Sequence, residues 1–188
     1  MPRPFFIVFI LIFAFCPLLS FTQEIWINAQ AQTWILNSRL ARVSLLGTGG
    51  KLGLEWENLV LSQLGGGLFI SSTYFIPSTN QGTLWNLFAQ GSLHYTWKLS
   101  PIHGFGPYLN CGYGLGVVCF PKNRPSNFGT QIIGGGGLQY QYFFHSQFSL
   151  GLAMGINGLF ENQSSYFNPE INLMARIRVS GSKNEPQL

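Results

Sequence analysis

From Leu84 to Lys98 the chain alternates between two faces with a period of two residues. One face carries Trp85, Leu87, Ala89, Gly91, Leu93, Tyr95 and Trp97; the other carries Asn86, Phe88, Gln90, Ser92, His94, Thr96 and Lys98. Only a β-strand points successive side chains to opposite sides in this way. The same period governs Phe105 to Cys119, Phe148 to Phe160 and Pro169 to Val179. It runs more weakly through Leu64 to Phe75 and Gln131 to Phe144, where glycines blur it. Lys51 to Glu57 sets Leu52, Leu54 and Trp56 against Lys51, Gly53, Glu55 and Glu57. The first strand has two readings: 24–34, where Ile25, Ile27, Ala29 and Ala31 alternate with Trp26, Asn28, Gln30 and Gln32, or 39–46, turning at Gly47-Thr48-Gly49-Gly50. Either way the expectation is an all-β chain of eight antiparallel strands.

The compartment follows from the first residues. Met1-Pro2-Arg3 is a short basic start, Phe5 to Leu19 is an apolar run, and Ser20-Phe21-Thr22 offers small residues before Gln23. That is the layout of a cleaved secretory signal peptide. The run is shorter than the roughly 20 residues a spanning helix needs, and Pro17 interrupts it. Phe15 before Cys16 is a poor context for lipidation. The expected division is a signal peptide over 1–22, a barrel over 23–180 and a polar tail over 181–188, with a cut after Ala31 as the second choice. Beyond Leu19 no apolar segment reaches the length of a membrane helix.

Composition decides which way the apolar faces point. Charged residues make up 9% of the chain, against about 25% in soluble domains. The 10 Lys and Arg exceed the 6 acids, all glutamate, for a net charge of +4, but they form no basic cluster. Nucleic acid is therefore not an expected partner. A soluble, lipocalin-like carrier would turn the aromatic faces inward, crowding a lumen only just wide enough for side chains. It would also leave an outer surface with too few charges for solubility. Facing lipid resolves both, and a closed barrel is the only strand architecture that satisfies every backbone group there. Trp85 and Trp97 would then mark the two aromatic girdles. The connections at 76–83, 121–129 and 161–165 are longer and polar, whereas 58–63, 99–104 and 145–147 are mostly shorter, an alternation typical of loops outside and turns in the periplasm.

With this pattern and the stretch Gly49-Gly50-Lys51-Leu52-Gly53-Leu54-Glu55-Trp56-Glu57, the chain resembles the small OmpA/OmpX-like outer-membrane β-barrels of Gram-negative bacteria. The resemblance implies an eight-stranded transmembrane β-barrel in the outer membrane, in contact with its lipid and lipopolysaccharide and inserted by the barrel-insertion machinery. It implies no cofactor. Such barrels usually end on an aromatic residue, whereas this chain passes Val179-Ser180 into its polar tail.

Inward-facing charges are the candidate site. Strand direction gathers Glu55, Glu57, Lys98, Arg176 and Arg178 near the periplasmic end, with Lys51 and Glu170 higher and at similar depth. Buried charges persist when paired, so these seven residues are expected to plug the lumen with ion pairs. The sharper alternative is a charged constriction in a narrow pore. A second function class is a lipid-modifying barrel enzyme of the acyl hydrolase or transferase type. For that chemistry His94, near Ser92 and Tyr108, is the candidate, although the sequence has no aspartate to orient it. His103 and His145 fall in expected turns, and the His-x-Ser-Asn signature of the lipid A deacylases is absent. Cys111 and Cys119 lie too far apart on one strand for a disulfide. No metal-ligand spacing occurs. The loops at 76–83, 121–129 (with Lys122 and Arg124) and 161–165 are the places for an extracellular ligand. The function expected is non-enzymatic, structural or surface-interacting.

Overall fold

A computed structural model describes residues 24–36, 44–59, 61, 63–77, 83–119, 127–161 and 164–180. Among them run nine strand segments: β1 (Glu24–Ile35), β2 (Ser44–Glu57), β3 (Leu64–Pro77), β4 (Thr83–Tyr95), β5 (Trp97–Ser100), β6 (His103–Cys119), β7 (Asn127–His145), β8 (Phe148–Glu161) and β9 (Ser164–Ser180). β4 and β5 follow one another and both pair with β6, so the nine segments fill eight positions. All neighbours are antiparallel, and β1 pairs with both β2 and β9. The sheet is a closed eight-position barrel. The expected signal segment 1–22, the tail 181–188 and most of the three long connections, including Lys122 and Arg124, lie outside the described residues.

The register fixes the width and tilt of the barrel. From Trp34 the partners run Glu170, Gly155, Gly137, Tyr108, His94 and Gly65. Gly66 pairs with Trp56, which sets Glu57 opposite Gly65, and Glu57 pairs with Glu24. One circuit therefore returns to β1 ten residues lower, from 34 to 24. In a barrel, strand number and stagger together dictate tilt and diameter. This row also carries six inward-pointing functional groups: Glu24, Glu57, His94, Tyr108, Glu170 and Trp34.

The first strand is the 24–34 reading. Gly47 to Gly50 do not turn the chain but lie inside β2, with Gly49 opposite Gln32 on β1 and Thr73 on β3. A Cβ at Gly49 would stand 1.9 Å from the Ser72 carbonyl oxygen. The glycine there permits close backbone approach instead of a turn.

Burial separates the two faces as the alternation requires. Outward positions expose Leu52, Ile70 and Leu109 at 60–65%, while Asn28, Asn86 and Arg176 inside are at most 1% exposed. This is the inverse of a soluble carrier. The lumen also holds large rings. Trp26, Trp34, Phe69, Phe75 and Phe88 are all buried inside it. Bulk fits because glycines stand beside it: a Cβ would meet the Phe69 ring at 2.7 Å from Gly53 and the Phe88 ring at 2.5 Å from Gly114. At the end bearing the connections after β1, β3, β6 and β8, which we term the loop end, Trp34, Leu36, Phe75, Phe88, Ile133 and Leu159 pack into an apolar cluster. Trp34 meets Phe75 edge-on at 5.8 Å.

Inward glycines should therefore be intolerant of side chains. A Cβ at Gly137 would lie 2.1 Å from the Met154 carbonyl oxygen, whereas one at Gly129 meets nothing within 4 Å. Gly137→Ala is expected to lower stability by about 1–3 kcal/mol, the usual cost of overpacking. Gly129→Ala should stay within about 0.5 kcal/mol. Urea unfolding of the two variants in detergent checks the difference.

Candidate functional site

The charged side chains converge on Arg176, which enters the lumen from β9 near the turn end. Its Nη1 donates to Gln141 Oε1 at 2.6 Å, and its Nη2 to Glu57 Oε1. Its Nε lies 2.6 Å from Glu55 Oε2, an ion pair not aligned as a hydrogen bond. The guanidinium also sits 4.8 Å above the Trp26 ring, so one face is covered by an aromatic quadrupole while its edges meet carboxylates. Below it, Arg178 Nη1 donates to Glu24 Oε1 at 3.1 Å in a pair about one-fifth exposed.

A second group lies nearer the loop end. Lys51 Nζ is 3.8 Å from Glu170 Oε1, with both side chains buried. Glu170 accepts from Tyr108 Oη at 3.0 Å and from Gln32 Nε2 at 3.2 Å. Between the two groups, Lys51, Glu55, His94, Tyr108 and Asn110 help to enclose a cavity of about 30 Å³. That volume is large enough to hold water.

Six of the seven expected lumen charges meet partners in this way. Among the described residues Lys98 meets none, and it is exposed. The alternation lapses after Thr96, where Trp97, Lys98 and Leu99 are all exposed. β3 begins at Leu64 opposite Tyr95, so β5 has β6 alone as a strand neighbour and runs past the enclosed part of the barrel. Sequence reasoning missed three partners: Glu24, Gln141 and Trp26. Glu24 sits at the first residue of β1, and its inward side follows from the alternation with Ile25.

His94 is buried, and its Nε2 stands 3.1 Å from Glu57 Oε1. The orienting acid that the absence of aspartate seemed to deny is thus a glutamate two strands away, on the same register row. The same Glu57 oxygen accepts from Arg176, and the Ser92 hydroxyl has no hydrogen-bond partner among the described residues. His103, at the start of β6, places its Nδ1 2.6 Å from Tyr140 Oη. His145 Nδ1 is 3.5 Å from Ser146 Oγ in an exposed turn. Cys111 and Cys119 are free thiols, and among the described residues no three His, Cys or acidic groups could hold a metal.

Trp85 and Trp97 both lie on the outer face, 43% and 45% exposed. Trp85 Nε1 donates to Ser72 Oγ at 2.7 Å. Trp97 stacks on Phe105 at 6.2 Å, and the ring series continues from His103 through Tyr142 and Phe144 to Phe148 near the turn end.

A closed antiparallel barrel of eight positions, apolar outside and polar within, is the fold of the small outer-membrane β-barrels. Two solved structures share it. A major outer membrane protein from Thermus thermophilus is 14% identical, covering 83% of this chain and 98% of that one, with a TM-score of 0.59. Neisserial surface protein A is also 14% identical, covering 83% of this chain and 96% of that one, with a TM-score of 0.53. No protein-family model matches the chain, and comparison with curated proteins finds no match.

Arg176→Ala would leave Glu55 and Glu57 buried without their shared cation. Breaking a buried pair from one side typically costs about 3–5 kcal/mol, and a loss of that size is expected. Lys98→Ala should change stability by no more than about 0.5 kcal/mol. Both are read from unfolding midpoints in detergent, and a silent Arg176→Ala would remove the lumen charges from the account of stability.

Proposed function

We propose that this chain is a non-enzymatic protein of the bacterial outer membrane, with a closed lumen and a structural or surface-interaction role. The observation that carries the reading is the reversed burial pattern: large apolar side chains cover the outside while amides and ion pairs fill the inside. A surface of that kind suits lipid and lipopolysaccharide, with Trp85 and Trp97 as girdle residues at two depths. Residues 1–22 serve as the export signal. A cut after Ala31 would remove most of β1, including the Trp26 ring beneath Arg176, so we favour cleavage after Thr22. The barrel-insertion machinery of the outer membrane is the partner in assembly. The connections at 76–83, 121–129 and 161–165 face outward from the cell and are where an extracellular ligand would bind.

In this reading the ion pairs plug the lumen. The apolar cluster at the loop end supports closure over a narrow pore. A lipid-modifying enzyme stands as the second reading, favoured by one observation, the His94–Glu57 contact. Against it, the pair lies inside the barrel, away from any acyl chain, and Glu57 is shared with Arg176.

Three measurements test the proposal. The protein in a washed outer-membrane fraction should change gel mobility on boiling; a soluble periplasmic protein without a shift would overturn it. Planar bilayers containing the purified protein should show no steady conductance, and reproducible ion-selective steps would establish the pore instead. Lipid A from cells carrying His94→Ala should match the wild type by mass spectrometry, whereas a modification lost with His94 would promote the enzyme.

A further inference from the structure

The placement of the charges around the barrel is uneven. Every Lys–Glu and Arg–Glu ion pair among the described residues joins β9 to β1 or to β2: Arg178 with Glu24, Arg176 with Glu55 and Glu57, and Lys51 with Glu170. The His94–Glu57 contact alone lies elsewhere. The pairs between β9 and β2 pass over the inner face of β1. That strand contributes Trp26 beneath the Arg176 guanidinium and Gln32 as a donor to Glu170.

The junction they cross differs from the others. At seven junctions the paired strands are neighbours along the chain, counting β4 and β5 as one position. The β1–β9 junction joins the two ends of the barrel sequence, with Ile25 opposite Ser180. Its formation closes the longest loop in the fold and so carries the largest closure entropy. Its ladder also shifts register between Ile25 and Trp26, at the level of the arginines.

We propose that the lumen charges are straps across this closing seam, holding β1 in the wall between β9 and β2. The role goes beyond filling the lumen. A plug would support all eight junctions alike, whereas straps protect the two that hold β1, the closing β1–β9 junction among them. The inference concerns closure of the barrel and stands whether or not the wild-type protein proves to be a surface-interaction protein, since bilayer conductance and seam exchange are separate readouts.

Hydrogen exchange of the purified barrel in detergent, resolved by residue, is the first test. Arg176→Ala is expected to raise exchange at seam amides such as Ala29, Ala31, Leu173 and Ala175, with little change at β3–β4 amides such as Phe69 and Ser71. Uniform loss of protection around the barrel would overturn the proposal. If Arg176→Ala does not refold, Glu24→Ala serves, because its pair is partly exposed; acceleration confined to the turn end of the seam supports the straps, and none there overturns them.

The second test uses disulfides in a background with the native cysteines replaced by alanine. Ala29 and Ala175 are register partners on the outer face of the seam; Ile70 and Ala89 are partners at β3–β4. With Ala29→Cys and Ala175→Cys oxidised, the fall in unfolding midpoint caused by Arg176→Ala should shrink. With Ile70→Cys and Ala89→Cys oxidised, that fall should persist. Equal rescue by both crosslinks, or rescue by neither, would overturn the proposal.

Discussion

Closure of the hydrogen-bonded ladder is the constraint from which the rest of this protein follows. A strand in lipid has no water to satisfy its backbone, so a wall with an open edge is not available to it. Closing eight positions with a stagger of ten residues leaves a narrow interior and sets one inward row winding from Glu24 up to Trp34. Residues far apart in sequence meet because that row brings them together. Tyr108 reaches Glu170, and His94 reaches Glu57, across strands that do not touch.

Within so narrow an interior the charged groups are held by mutual satisfaction. Burying a lone charge is costly, and attraction offsets that cost only when the geometry is good and the remaining donors find acceptors. Arg176 meets the condition with two carboxylates, one amide oxygen and a ring face. Lys51 has a longer contact with Glu170, which also accepts from a phenol and an amide. The loop end solves the same problem differently, by aromatic and aliphatic packing around Trp34. The two ends of one lumen thus use opposite chemistries.

Much of the architecture was legible because alternation is a direct imprint of the pleat. The stretch Leu84 to Tyr95 could be assigned residue by residue to an inner and an outer face. The depth of Lys51 relative to Glu170 also followed from strand direction alone. Lys98 failed because alternation predicts a face only while neighbours exist on both sides, and β5 has lost one of them. What makes room for the buried rings of Phe69 and Phe88 was not legible, because lumen space depends on which glycine lies across the ladder, a property of register. Glu57 beside His94 was hidden for the same reason: their proximity is a consequence of the stagger, which no local pattern encodes.

The two faces also place unequal demands on sequence over evolutionary time. An outward position such as Leu52 or Ile70 must be apolar, but its shape is matched to no neighbour across a core, so substitution among aliphatic residues leaves the wall intact. An inward position such as Gly137 or Arg176 is tied to particular atoms opposite. Half of every strand can therefore drift while the other half is held. Recognisable sequence likeness decays quickly under that regime, and this chain shares its barrel with a solved structure at only 14% identity. For proteins built this way, ancestry is better traced through the inward row than through the whole chain.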